Sequence, residues 1–233
     1  KDTAAKNGMT FSSTIANPEG DLNSAQANIK SCVRKKAKVT VNITTPDTTL
    51  AAPINQTESA GNFYVGQYSG APVPNQTMSL GPNDPGMSKQ LFDWAQKNLA
   101  TGGKKPTVLA LTTSAFPVVV NRIGSFVALA KAAGWNVVGP EELRPDKVAR
   151  DAESKTAAAL RSNPDINIVL AYTDDVTAGV TPAVNDAGKQ DQVKVLAWEG
   201  LEPTYAEMRS GKGLAAAVAG APTAGVGVSG ASA

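Results

Sequence analysis

The stretch that decides the fold is TVLALTTSAFPVVVNRIGSFVALAKAAGWNVV, residues 107–138. It opens on Thr107–Thr112, a Val- and Leu-rich run too short for a helix, which reads as a buried strand. After a loop, Ile123, Phe126, Val127 and Ala130 recur at helical spacing and form one apolar face. Ala132-Ala133-Gly134 closes that helix on a glycine, and Trp135–Val138 begins the next apolar run. Strand, helix and strand in that order pair the strands in parallel through a right-handed crossover.

The same unit repeats outward in both directions. Strands are predicted at Thr10–Ala16, Lys38–Ile43, Asn62–Gln67, Asn167–Tyr172, Val193–Trp198 and Leu214–Ala219. Helices are predicted at Leu22–Lys36, Thr48–Ala60, Gly86–Leu99, Val118–Ala133, Pro145–Ser162, Asp175–Ala187 and Pro203–Ser210. Asp21 and Asp47 stand where helix caps belong, and Asp174 stands before the helix at Asp175. The strands are apolar on both sides, as a sheet covered by helices requires. The class is α/β and doubly wound, and such sheets take ligands beyond the carboxyl ends of their strands. No Lys or Arg occurs from Val39 to Ser88, and Pro72, Pro74, Pro82 and Pro85 cluster inside that window, which marks a crossing between two lobes.

Composition removes most chemistry. The chain of 233 residues has no His and one Cys, Cys32, which excludes a His-based triad, a His metal site and a disulfide framework. A net charge of +2 argues against a dedicated nucleic-acid binder. Gly102-Gly103-Lys104-Lys105 precedes a strand and is no phosphate loop, and Glu141 and Glu142 read as an adjacent solvated pair in a loop. No run approaches the roughly 18 apolar residues of a membrane span. The sequence points to no catalytic residue, no metal and no cofactor.

Several segments together resemble the type I periplasmic binding proteins, in their ribose-binding branch. They are Val108–Leu111; Asn121-Arg122-Ile123-Gly124-Ser125-Phe126; Asn163-Pro164-Asp165-Ile166; Ala171-Tyr172-Thr173-Asp174-Asp175; Ala187-Gly188-Lys189; Trp198-Glu199-Gly200; and Arg209-Ser210-Gly211-Lys212. The order and spacing of these segments carry the resemblance. Asn17–Asp21, Thr45-Pro46-Asp47 and Ala60-Gly61 match more loosely. The resemblance implies two doubly wound lobes that hinge shut on a ligand: residues 1–82 as the N-terminal lobe, 83–219 as the C-terminal lobe and 220–233 as the start of a return crossing. It also implies that a first strand ahead of Lys1 and a closing segment after Ala233 lie outside this sequence. The function implied is solute capture for an ABC importer by a monomeric receptor in the periplasm or another extracytoplasmic space, free or lipid-anchored, whose partner is a membrane permease. The alternative is the ligand-sensing core of a LacI-type transcriptional regulator, which would need a DNA-reading segment ahead of residue 1.

If the lobes close as in that family, the cleft is lined by strand ends. The candidate ligand residues are Tyr68, Ser69, Ser114, Phe116, Arg122, Tyr172, Thr173, Trp198 and Glu199. Tyr68, Phe116, Tyr172 and Trp198 offer aromatic faces to a sugar or another flat ligand, Glu199 accepts hydroxyl hydrogen bonds, and Thr173 gives and accepts one. Other readings stand beside these: Arg122 paired with a carboxylate, Trp198 packed in the core, and Phe116 stapling the helix start. Against the ribose-binding pattern, Val120 replaces an Arg, Thr173 an Asn, Glu199 an Asp and Gly220 a Gln. These departures imply a ligand larger or less hydroxylated than a simple pentose or hexose.

Overall fold

The computed structural model describes residues 5–8, 21–100, 103–211 and 214–218. The predicted strand Thr10–Ala16 and the return crossing from residue 220 lie outside them. The N-terminal part contains α1 (Leu22–Arg34), β1 (Val39–Ile43), a 3-10 turn (Asp47–Leu50), α2 (Ala51–Ser59), β2 (Phe63–Gln67) and β3 (Met78–Leu80). The C-terminal part contains α3 (Asp84–Asn98), β4 (Thr107–Thr112), α4 (Pro117–Ala132), β5 (Asn136–Glu142), α5 (Val148–Ser162), β6 (Ile168–Ala171), α6 (Asp174–Asp186), β7 (Lys194–Trp198), α7 (Glu202–Ser210) and β8 (Leu214–Val218).

Both sheets are parallel. The first runs β1-β2-β3 and the second β5-β4-β6-β7-β8. In the second sheet the chain leaves β4 toward β5 and then returns to the opposite side with β6. That reversal is the switch point at which open α/β sheets hold ligands.

The core sits mainly in the C-terminal part. β6 is buried along its whole length, as are five of the six residues of β4, as helices on both faces demand. Phe126 of α4 stacks edge-on against Phe92 at 5.7 Å, Trp135 at 6.3 Å and Trp198 at 6.1 Å. α6 lies close on α5 because Gly179 has no side chain; a Cβ there would stand 2.0 Å from the Ala149 carbonyl oxygen. The N-terminal sheet differs. Ala25, Ile29, Leu50, Ile54 and Tyr64 pack on one face, while Val39, Val41, Ile43, Phe63, Met78 and Leu80 remain exposed on the other among the described residues. Among the described residues, cover on both faces is complete for the C-terminal sheet.

Local signals explain most element ends. Asp21 caps α1, accepting from the Asn23 and Ser24 amides at 3.1 Å each. Asn83 caps α3 through the Gly86 amide at 3.1 Å, so that helix starts earlier than predicted. Two cap readings are corrected. Asp47 is the first residue of its 3-10 turn and spends its carboxylate on side chains from β1, β2 and the loop before β3. Asp174 is the first residue of α6, and its carboxylate reaches across to the Gly200 and Leu201 amides at 3.3 Å and to the Thr204 hydroxyl. It holds the start of α7, not of its own helix. Two strands also exceed the prediction. β3 pairs inside the Pro-rich crossing, and β5 continues past Gly139-Pro140 across a register shift against β4.

Candidate functional site

A cavity of about 260 Å³ opens where the two sheets meet the crossing. Tyr68 and Gly70 line it from the loop after β2, Leu80 and Pro82 from the crossing, and Asp84, Val118 and Asn121 from α3 and α4. The N-terminal part bears directly on α4 here, since a Cβ on Gly70 would stand 2.8 Å from Pro117. Tyr68 itself packs against the C-terminal core.

The N-terminal wall is held from beneath by a buried polar cluster. Asp47, fully buried, accepts from Asn42 Nδ2 at 3.0 Å, the Tyr64 hydroxyl at 2.9 Å and Gln76 Nε2 at 2.7 Å. Asn42 also donates to the Ser69 hydroxyl at 3.1 Å, and that hydroxyl donates to the Gln67 carbonyl. Ser69 thus works inside the cluster, while Tyr68 projects from it. Tyr68 sits at φ +58 and its amide donates to the Leu80 carbonyl at 2.8 Å.

The C-terminal wall is organised by Arg122, which is 2% exposed. Its Nε donates to Asp84 Oδ1 at 3.1 Å, and its Nη1 donates to the Tyr172 carbonyl at 2.9 Å and Glu199 Oε1 at 3.0 Å. Burial raises the Asp84 carboxyl above the usual range; Arg122 opposes that rise and the Glu199 charge adds to it. Arg122 is therefore the carboxylate-paired arginine of the alternative reading, fixed behind the cleft. Glu199 remains exposed at φ +81 directly after β7. Asp174 anchors the two residues after it and Arg122 anchors its carboxylate, so this left-handed turn is fixed from two sides. Non-glycine residues in that region cost of order 1–3 kcal/mol and concentrate at functional sites.

The other candidates divide between cleft and core. Ser114 is exposed, and both its amide and its hydroxyl donate to Glu142 Oε1, at 2.6 and 2.9 Å. Phe116 is half-buried at the start of α4, against the C-terminal core. Thr173, half-buried, precedes α6 and receives the Thr177 hydroxyl on its carbonyl at 3.2 Å. Tyr172 is 3% exposed; burial raises its phenol, and the Glu142 and Asp175 charges add to the rise. Trp198 is fully buried against Phe126, and its indole N–H finds no partner among the described residues. The ring offered to a flat ligand by the sequence reading lies in the core.

Asp84, Asn121 and Glu142 were not foreseen at this site. The Asn83-Asp84-Pro85 run signals only a helix start, and Glu142 carries no motif. Its neighbour Glu141 pairs with Lys155 at 3.6 Å, and both glutamates stand at the end of β5, not in the loop expected of them, because pairing with β4 carries the strand that far. Among the described residues, no cluster of acidic or sulfur side chains is arranged to hold a metal ion, and no helix is long and apolar enough to cross a membrane.

Two parallel sheets meeting at a crossing, with a cleft at their strand ends, define a bilobed binding fold, and the sequence places it further: residues 1–227 match the periplasmic binding protein domain, and the chain belongs to that family. The D-ribose/D-allose-binding protein of Pseudomonas aeruginosa is 23% identical over 138 residues, which is 59% of this chain and 42% of that relative's length. The myo-inositol binding protein of Caulobacter, solved with myo-inositol, superposes with a TM-score of 0.81 at 19% identity, over 95% of this chain and 74% of that one. The 5-methylthioribose transporter solute binding protein of Thermotoga lettingae superposes with a TM-score of 0.79 at 18% identity, over 94% of this chain and 67% of that one.

Proposed function

We propose that this chain is the ligand-capturing part of a sugar receptor that delivers its cargo to the permease of an ABC importer. The receptor works as a monomer in the periplasm or another extracytoplasmic space, and it is not an enzyme. The lobes divide between residues 82 and 83, with residues 220–233 beginning the return crossing. Tyr68, Ser114, Phe116, Tyr172, Thr173 and Glu199 face the ligand; Ser69, Arg122 and Trp198 hold those residues in place from behind. The observation that carries this reading is the exposed Glu199 carboxylate, braced by buried Arg122 at the end of β7. One braced oxygen and one open oxygen make a fixed acceptor for hydroxyl groups. Relatives named for ribose or allose and for myo-inositol set the ligand class to test. No observation favours the transcriptional-regulator reading.

The test is thermal denaturation with D-ribose, D-allose, D-fucose, myo-inositol, allitol, 5-methylthioribose and a set of aromatic metabolites. A ligand at one hundred times its Kd adds about 2.7 kcal/mol of stability. At least one sugar or polyol raises Tm, and Glu199→Gln reduces that rise. A panel without any shift refutes the proposal.

A further inference from the structure

We propose that Glu142 and Tyr172 form a second hydroxyl-reading subsite on the C-terminal wall, separate from Glu199. This rests on the sugar-receptor reading and adds to it a particular group on the ligand. Glu142 ends β5, beside the loop that follows β4 at the switch point. Its Oε1 is occupied by the Ser114 amide at 2.6 Å, the Ser114 hydroxyl at 2.9 Å and the Thr113 hydroxyl at 3.3 Å. Those three donors fix the carboxylate's orientation, while Oε2 accepts no hydrogen bond among the described residues and the side chain is exposed. The result is an ionised acceptor held in place before any ligand arrives, which reduces the ordering cost of binding.

The second observation is independent. Tyr172 directly follows β6, the strand on the other side of β4; it is 3% exposed, and its hydroxyl is not one of the buried polar atoms left without a partner, so the surface it keeps includes that oxygen. Glu142 pairs with Thr112 of β4 from one side, and Tyr172, two positions beyond the Ala110–Leu170 pair, stands level with Thr112 on the other. A fixed acceptor and an unused donor on one wall match a group that both gives and takes a hydrogen bond. A sugar hydroxyl does both, whereas a carboxylate only takes and is repelled by Glu142. The subsite therefore reads one hydroxyl of the sugar.

Isothermal titration of each sugar and polyol of the panel above, beside its monodeoxy analogues, into wild type, Glu142→Gln and Tyr172→Phe tests the assignment. Glu142→Gln keeps an oxygen for Ser114 and presents an amide donor where the open acceptor was. In wild type one deoxy position costs about tenfold or more in Kd, as expected for a hydrogen bond to a charged acceptor. Each variant weakens the parent sugar by a similar factor and binds that deoxy analogue as wild type does, while the ligand-free Tm stays unchanged. Wild-type affinity and discrimination in Glu142→Gln overturn the subsite alone. Failure of wild type to bind any sugar or polyol of that panel overturns the receptor reading, and the subsite with it.

Discussion

Arg122→Leu removes a guanidinium that serves three acceptors in a buried place. Asp84, at 4% exposure, is left as a carboxylate without its cation, and breaking such a pair costs about 3–5 kcal/mol. The Tyr172 carbonyl loses its donor, at about 1–3 kcal/mol, and the Glu199 leg adds under about 1 kcal/mol because Glu199 is 45% exposed. These contributions share one side chain and do not add. Asp84 also limits the loss by taking up a proton, since its pKa is already raised. The expected net cost is about 3–5 kcal/mol, a large share of the roughly 5–15 kcal/mol that stabilises a domain. Urea denaturation measures it directly. Asp84→Asn together with Arg122→Leu costs less than the two single changes summed, because the unpaired buried charge is gone. Arg122→Leu within about 0.5 kcal/mol of wild type, or strict additivity in the double variant, refutes the bridging role.

Three further outcomes follow from close contacts and titrations. Gly179→Ala drives a Cβ into the Ala149 carbonyl, separates α5 from α6 and lowers the urea midpoint by the equivalent of about 1–3 kcal/mol. Gly66→Ala puts a Cβ 1.9 Å from Asp47 Oδ2, which breaks the cluster under the N-terminal wall; near-ultraviolet circular dichroism reports it as a changed Tyr64 environment. At Glu58, burial disfavours the charge, but the Thr77 hydroxyl and the Thr77 and Tyr64 amides outweigh burial and lower the pKa from 4.5. That stabilisation is present above pH 4.5 and lost as pH falls through the lower folded pKa, so Thr77→Val flattens the stability-versus-pH slope in that acid window.

The C-terminal lobe was legible because periodicity and burial agree there. β4, β6 and β7 are short apolar runs between amphipathic helices, and each appears where the pattern put it. β3 escaped because three exposed residues between prolines leave no apolar signature. β5 ran on because Gly139-Pro140 resembles a stop, while pairing with β4 outweighs that local signal. At the site, spacing located Tyr172, Trp198 and Glu199 at strand ends but not which way each side chain turns. Trp198 turned inward to Phe126 and Glu199 outward on a left-handed backbone. Arg122 was singled out, but its partner Asp84 lies 38 positions earlier, beyond any local pattern.

The unequal sheets give the molecule unequal local stability. Hydrogen exchange follows local opening, and openings are least costly where few apolar contacts must be broken. Among the described residues the three-stranded sheet packs on a much smaller apolar cluster than the five-stranded one, so its amides exchange earlier than those of β4, β6 and β7. A molecule held in the cleft joins the softer lobe to the firmer one, so ligand protection spreads through β1 and β2, well beyond the residues it touches.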